Sequence, residues 1–311
     1  MRTGELGASG VRVTALGLGT AQLGDLYQAL TQDRATAIVD AAWDSGIRYF
    51  DTAPHYGLGL AEKRLGLALR TRPRAQYVLS SKVGRLLRAG SDGELARHWD
   101  FTEAGIRRSV EESLERMGLD RLDIALLHDP QERLVDALGS GLPALVRLRD
   151  EGVVDAIGVG TGDLTALAAF ANRAELDALM IAGRYTLLEQ PALAGVIPAA
   201  RAAGISVLNA GVFNSGMLAQ DLPAPDARYE YGAAPRSLLA RARRLAELAA
   251  AAGTTLPWAA LAYAARDPLV ASVVVGADSA EQIRANARMA QDPRPLDGLW
   301  GELVALGLIP V

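Results

Sequence analysis

The sequence predicts an α/β protein: a single (β/α)8 barrel with an N-terminal β-hairpin and extra helices. Three observations carry that expectation. Short apolar or β-branched runs alternate with longer helical patterns along the whole chain. Eight such units fit into about 280 residues, the length a barrel of this kind occupies. Polar residues suited to chemistry also stand at or just past the C-terminal ends of the strand-like runs, the face on which such barrels build their sites. A doubly wound sheet would need fewer units or a second domain, and no linker separates one. Residues 1–311 are therefore read as one domain.

The elements follow in order. A small hairpin is expected around residues 3–13, then a first strand at 15–18. A helix over 34–45 places Ile38, Ala41, Ala42 and Ser45 on one face. The second strand is 47–50, followed by a helix over 59–69 and a third strand at 77–81. The helix over 102–117 is opened by Thr102, with Glu103 in its positive first turn, and stopped by Gly118. A fourth strand at 122–127 leads to a helix over 131–150. The fifth strand, 154–159, precedes a helix at 163–171; the sixth, 177–182, precedes a helix at 191–203. The seventh strand is 205–208. A connection over 211–235, rich in Pro, Gly and Tyr, leads to helices at 236–252 and 256–265. The eighth strand is 271–275, and a helix at 279–290 closes the cycle. Loops 83–100 and 211–235 exceed ordinary connections and are expected to cover the active face.

Composition narrows the function. Half of the 311 residues are hydrophobic, ample for a large core, and the net charge of −4 with no basic cluster argues against a nucleic-acid partner. Cysteine is absent, which removes disulfides, thiol nucleophiles and thiolate metal sites. No apolar run of membrane-spanning length occurs, and residues 1–7 carry no apolar signal core, so the expectation is a cytoplasmic protein with no membrane partner.

Asp51, Tyr56, Lys82 and His128 are the candidate catalytic residues. Asp51 and Tyr56 follow the run Ile47-Arg48-Tyr49-Phe50, Lys82 ends Tyr77-Val78-Leu79-Ser80-Ser81, and His128 ends Ile124-Ala125-Leu126-Leu127. Singly, each has a structural explanation: a loop cap, a rim aromatic, a solvated charge, a packed imidazole. Together they come from three strand ends that converge only in a barrel. A carboxylate, a phenol, an ammonium and an imidazole so gathered can move a proton onto or off a carbonyl oxygen. Asp51, His55 and His128 lack the compact spacing of a metal site, and none is assigned.

The segment Gly46-Ile47-Arg48-Tyr49-Phe50-Asp51-Thr52-Ala53-Pro54-His55-Tyr56-Gly57 resembles the signature of the aldo-keto reductases. So do Ser81-Lys82-Val83-Gly84, Leu127-His128 and Leu16-Gly17-Leu18-Gly19-Thr20. The stretches 182–190, 209–216 and Val274-Val275-Gly276 resemble the branch that holds aldose 1-dehydrogenases and pyridoxal 4-dehydrogenases. The resemblance implies that Tyr56 transfers the proton, Lys82 lowers its pKa, Asp51 holds Lys82, and His128 orients the substrate oxygen. Hydride would pass between the substrate carbon and a nicotinamide.

No Gly-x-Gly-x-x-Gly follows the first strand, so a Rossmann domain is not expected. The resemblance instead implies a dinucleotide stretched across the barrel mouth. Gly19, Thr20 and Asp51 would lie beneath it. Gly211, Val212, Phe213, Asn214, Gly216 and Leu218 would cover the pyrophosphate, and Gly276, Ala277, Asp278, Gln282 and Asn286 would grip the adenosine end. Gly276 and Gln282 stand where NADP-preferring relatives carry cations, with Asp278 nearby; this favours NAD, with NADP possible. Asp278 has an equal reading as a helix cap, and Arg284 is the nearest compensating cation. Two positions depart from the family pattern: Gly160-Thr161 replaces the usual Ser-Asn, and Ala182 the usual Gln. Thr161 is the expected substitute for holding the carboxamide, and Tyr185 either stacks on the nicotinamide or packs the rim.

His55, His98, Trp99, Tyr229 and Tyr231 fall on active-face loops and are the candidate substrate residues. The leading reading is oxidation of the anomeric hydroxyl of an aldose such as L-fucose to the lactone. Pyridoxal oxidation and general carbonyl reduction fit the same inventory. A Schiff-base lyase using Lys82 and a cofactor-sensing subunit are the rivals from other classes.

Overall fold

A computed structural model of the chain describes residues 1–90, 93–230, 232–292 and 294–310. Eight parallel strands form a closed barrel. They are β1 (Leu16–Gly19), β2 (Tyr49–Asp51), β3 (Val78–Val83), β4 (Ile124–His128), β5 (Ala156–Thr161), β6 (Ala178–Ala182), β7 (Ser206–Ala210) and β8 (Val270–Val275). Each pairs with its neighbour in sequence, and β8 closes onto β1 through Val273–Val275 against Leu16–Leu18. The eight expected strands are all present, within two residues or so of their expected bounds.

Strand alternation divides the core in two. Inward residues such as Tyr49, Ile124, Leu126, Met180, Leu208 and Val274 fill the barrel. Outward residues such as Leu79, Val83, Ile157 and Ile181 meet the helices. The hairpin Thr3–Glu5 with Arg12–Thr14 stoppers the N-terminal end, and its Leu6 and Val13 are fully buried. Gly4 lies so close to Ala271 that a Cβ would sit 2.7 Å from its carbonyl oxygen.

The surrounding helices include α1 (Gln32–Asp44), α2 (Leu60–Leu69) and α3 (Glu103–Met117). In α3, as the sequence indicates, Thr102 accepts from the Gly105 N–H and Gly118 ends the helix in the left-handed conformation; Ile106, Ser109, Val110, Ser113 and Met117 form its buried face.

Four features differ from the expectation. The helix over 131–150 is broken into a 3-10 turn at Pro130–Arg133, a helical turn at Leu134–Asp136, a π turn at Ala137–Gly141 and α4 (Leu142–Asp150). Pro143 has no N–H to offer Gly139, and the Leu142 N–H instead reaches back five residues to the Ala137 carbonyl. After β5 comes α5 (Leu164–Phe170), and the helix over 191–203 breaks at Gly195 into a 3-10 turn at Pro191–Ala194 and α6 (Val196–Ala202). The loop over 83–100 contains an antiparallel ribbon, Arg85–Ala89 with Leu95–Trp99. The helices α7 (Arg236–Ala251), α8 (Leu256–Ala264) and α9 (Ala280–Gln291) are followed by α10 (Asp297–Ala305), which lies beyond the last expected element. Among the described residues no single helix is long and apolar enough to cross a membrane; α7 and α8 would qualify only as a pair bent by 99°.

Candidate active site

Strand register gathers three of the four residues, Asp51, Lys82 and His128. Asp51 stands opposite Ser80 across β2 and β3. Ser80 and Lys82, two apart on β3, both turn inward, while Ser81 turns outward to Glu62 at 2.8 Å. His128 ends β4, and the left-handed backbone of Asp129 (φ 42°) sends its N–H to the Gly160 carbonyl on β5. Gly160 leaves room for the lysine, since a Cβ there would lie 3.3 Å from Lys82 Cε.

Lys82 Nζ donates to both oxygens of Asp51 at 2.8 Å and to the Thr52 carbonyl at 3.0 Å. Ser80 Oγ donates to Asp51 Oδ1 at 2.7 Å and is within 3.0 Å of the Tyr49 hydroxyl. Lys82 and Asp51 are each 2% exposed. A buried pair of this kind is held by its complete set of hydrogen bonds and loses stability sharply if one partner is removed. Burial opposes the lysine's charge, but Asp51 and Tyr56 outweigh it and raise its pKa. A Schiff base needs a neutral amine, so a buried, carboxylate-bound ammonium argues against the lyase reading.

Tyr56 is placed by backbone packing. Gly24, in the loop after β1, lies against the Tyr56–Gly57 peptide; a Cβ on Gly24 would fall 2.5 Å from Tyr56 C, and Gly57 is left-handed (φ 62°). Arg64 on α2 secures that loop by donating to the Leu23 carbonyl and Asp25 at 2.6 Å and to the Leu30 carbonyl. Lys82 Nζ is 5.2 Å from the centroid of the Tyr56 ring. The expected depression of the phenol's pKa is not the net result. Burial pushes Tyr56 up to about 12, with Lys82 pulling against it and Asp51 adding to it. The lysine acts as described, but against a larger desolvation effect.

His128 meets the Tyr56 ring edge-on at 6.0 Å between centroids and the His55 ring at 5.5 Å. Burial, then the charges of Lys82 and Arg85, hold its pKa well below the ordinary value, so the ring is neutral. Its Nε2 lies 3.6 Å from Asp129 Oδ2, and its buried Nδ1 has no partner.

The ribbon after β3 supplies cations that the sequence analysis missed. Arg85 approaches His55 Nδ1 at 3.3 Å, the Asp129 carbonyl at 3.3 Å and Asp129 Oδ2 at 3.4 Å, and its guanidinium covers the Trp99 ring at 4.1 Å. Arg97, on the Trp99 side of the ribbon, adds its charge near both histidines. Nothing in the sequence marks these arginines, because the ribbon that aims them is a tertiary pairing.

The expected substrate residues separate accordingly. His55 and Trp99 border the site. His98 does not: it pairs with Leu86 and, by alternation, faces away from Trp99 into a groove of about 470 Å³ shared with Arg88, Asp100 and Arg108. Tyr229 donates its hydroxyl to Glu189 at 2.5 Å and accepts from Arg184, so it pins the long loop to the segment after β6. Tyr231 lies outside the described residues.

Among the expected cofactor residues, Thr20 donates through Oγ1 and N to the Asp51 carbonyl, at 3.0 and 2.9 Å, and fixes the Gly19–Thr20 turn beside the carboxylate. Residues 211–218 form consecutive turns in which Asn214, Ser215 and Gly216 all have positive φ; Val212 and Leu218 are buried beneath, Phe213 is half-buried and Gly211 exposed. Asn214 Oδ1 is buried without a partner. Thr161 Oγ1 donates to Gln131 at 3.1 Å and accepts from the Asp163 N–H. Of the two readings of Tyr185, the geometry matches packing: the residue is 3% exposed and its ring lies against Tyr263 at 5.6 Å, deeper in the core than the rim.

Just past β8, Gly276 faces Gln22, whose amide would lie 2.2 Å from a Cβ. Ala277 and Asn286 are buried. Ser279, and not Asp278, caps α9 by accepting from the Gln282 N–H at 3.2 Å. The Asp278 N–H goes to Gln282 Oε1 at 2.7 Å, and its carbonyl accepts from Arg34 at 3.2 Å. Arg34, 244 residues away on α1, is a second cation at this loop that the sequence analysis missed. Among the described residues no group of three His, Asp or Glu is arranged to hold a metal.

A sequence model described as the aldo/keto reductase family matches residues 15–296. The chain is 49% identical to a D-threo-aldose 1-dehydrogenase from Pseudomonas sp., over 97% of each chain. It is 36% identical to a pyridoxal 4-dehydrogenase from Microbacterium luteolum, over 98% of this chain and 97% of the relative. Among solved structures, the holo form of an aldo-keto reductase from Bacillus halodurans superposes with a TM-score of 0.84 at 26% identity, covering 98% of this chain and 96% of that one. With the barrel and the Asp51, Tyr56, Lys82 and His128 cluster in place, these similarities establish that the chain is an oxidoreductase belonging to the aldo/keto reductase family.

Proposed function

We propose that this enzyme oxidises the anomeric hydroxyl of an aldose to the lactone, with NAD preferred to NADP. The observation that carries the reading is the buried Asp51–Lys82 pair beside Tyr56 and His128, taken with 49% identity to a D-threo-aldose 1-dehydrogenase. A bound nicotinamide dinucleotide supplies the hydride acceptor. The residues fit such a group: Asn214 Oδ1, Thr52 Oγ1 and His128 Nδ1 are buried polar atoms near the mouth with no partner. Residues 211–218 and 276–286 lie along the remainder of its expected path.

Tyr56 removes the hydroxyl proton of the sugar. With a pKa of about 12 it is the protonated acid at neutral pH, so oxidation is favoured by alkaline conditions and the reverse reduction starts from the form already present. Lys82 stabilises the phenolate, and Asp51 fixes the ammonium in the geometry that does so. His128, neutral, directs an N–H at the reacting oxygen and adds no competing positive charge. The Trp99 ring and the Arg85 guanidinium wall one side of the opening.

The NAD preference rests on the absence of a cation at Gly276 and Gln282 and on the carboxylate of Asp278. Arg34 and Arg284 moderate that preference. The test is a screen of aldoses, pyridoxal and simple aldehydes with each dinucleotide. An aldose with NAD should give the highest kcat/KM. Activity confined to pyridoxal, as the 36% identical relative's name would suggest, or to simple aldehydes overturns the aldose reading.

A further inference from the structure

We propose that His55 is a specificity residue that reads the hydroxyl on the carbon adjacent to the reacting one, through an Nε2–H donor whose direction and tautomer are set by Arg85. The inference deepens the proposed function, because in an aldose that group is the C2 hydroxyl, but it also applies to any 2-hydroxy carbonyl compound.

The argument begins with the donor inventory. A guanidinium only donates hydrogen bonds. Arg85 Nη1 stands 3.3 Å from His55 Nδ1, so Nδ1 accepts, and the neutral ring carries its proton on Nε2. No described residue accepts from that nitrogen. Burial, with Arg97 and Arg85 close by, lowers the His55 pKa to about 4, which keeps the ring in this form at neutral pH. Arg85 is itself anchored by Asp129 and by the Trp99 ring beneath it, so the imidazole is backed by a rigid group.

Position supplies the second half. The His55 and Tyr56 rings both meet His128 edge-on, at 5.5 and 6.0 Å. Tyr56 and His128 address the reacting oxygen, so the third ring of the cluster borders the next position along the substrate. Two neutral imidazoles in contact, one with a buried ring and one half-buried at the rim, match two oxygens on neighbouring carbons. A substrate lacking the second oxygen would leave the His55 N–H without an acceptor in a partly desolvated place.

The experiment compares reduction of 2-hydroxypropanal with that of propanal, which differ by that hydroxyl alone. The readout is the ratio of the two kcat/KM values, in which general damage to the enzyme cancels. Wild-type enzyme should favour the hydroxylated aldehyde by about tenfold, the discrimination of a hydrogen bond to a partly exposed donor. His55→Phe should bring the ratio near unity, and His55→Gln, which returns a donor near the Nε2 position, should restore part of it. Arg85→Met should lower the ratio by releasing the tautomer. A wild-type ratio near unity, or a ratio unchanged in both His55→Phe and Arg85→Met, overturns the proposal. Should the ratio behave as described while no aldose is oxidised, the aldose reading fails and the role of His55 stands.

Discussion

Replacing Lys82 with methionine tests the centre of the mechanism. The substitution keeps an unbranched chain of similar length and removes the ammonium. The charge lies 5.2 Å from the centroid of the Tyr56 ring. At an effective dielectric of about 20, a unit charge at that separation stabilises a phenolate by about 3 kcal/mol, or about two pH units. Loss of Lys82 therefore raises further a phenol that burial has already pushed up to about 12. It also strands the carboxylate of Asp51, whose remaining side-chain donor is Ser80. Breaking a buried pair in this way costs roughly 3–5 kcal/mol of stability, and Asp51→Asn in the same chain should restore part of it. The assay is the pH dependence of kcat/KM for oxidation, whose limb reports the Tyr56–Lys82 pair and not either group alone. In Lys82→Met the limb should move to higher pH, with activity at a fixed pH below it lowered about a hundredfold. An ultraviolet titration of tyrosinate, taken as wild type minus Tyr56→Phe, should shift the same way. An active Lys82→Met enzyme with its limb in place would show that another base accepts the proton, and the reasoning would fail.

Three further outcomes are expected. Tyr56→Phe should lower kcat by roughly 10²–10⁴-fold, the usual yield of a positioned acid–base group, with dinucleotide affinity measured by fluorescence titration largely kept; retention of more than about a tenth of wild-type turnover would exclude Tyr56 from that role. Gln282→Arg with Asp278→Ser should raise the NADP-to-NAD ratio of kcat/KM by about tenfold or more, one charged hydrogen bond being worth roughly 1.5–3 kcal/mol. A ratio that does not move would mean that this loop does not face the adenosine ribose. Acid stability should follow the histidines: unfolded imidazoles take up a proton near pH 6.5, while His55 does so at about 4 and burial beside Lys82 and Arg85 holds His128 well below its ordinary value. Folding is therefore stabilised above about pH 6.5 and loses that contribution as the pH falls from there, because the unfolded chain binds more protons. His128→Gln should flatten the decline in Tm across that window, and parallel curves for the two proteins would count against a buried neutral His128.

Three of the quartet, Asp51, Lys82 and His128, were legible as a cluster because local sequence ties each to a strand end, while Tyr56 follows within five residues of Asp51 and is set by packing against Gly24. The loop over 211–218 was assigned to the dinucleotide by family resemblance; what the structure adds is its run of positive-φ turns at 214–216, a few residues past β7. Legibility ended where side chains from distant elements share a space. His98 and Trp99 are adjacent in sequence, yet the ribbon turns one into the site and the other into an outer groove. Tyr185 is an aromatic just past β6, but packing against Tyr263 decided that it joins the core. Arg34 and Arg85 carry no motif, and only the fold brings them to Asp278 and His55.

By itself the sequence determined the barrel, its strand order and the chemical groups at its mouth, since hydrophobic alternation and strand-end residues are properties of short segments. The tertiary structure decided the protonation landscape. Whether Tyr56 titrates low or high depends on how desolvation balances Lys82 against Asp51, and the neutrality of His128 depends on its burial among Lys82, Arg85 and Arg97. Desolvation and charge proximity act through space and not along the chain, which is why a sequence can name the acid, the base and the cation while the fold sets the strength of each.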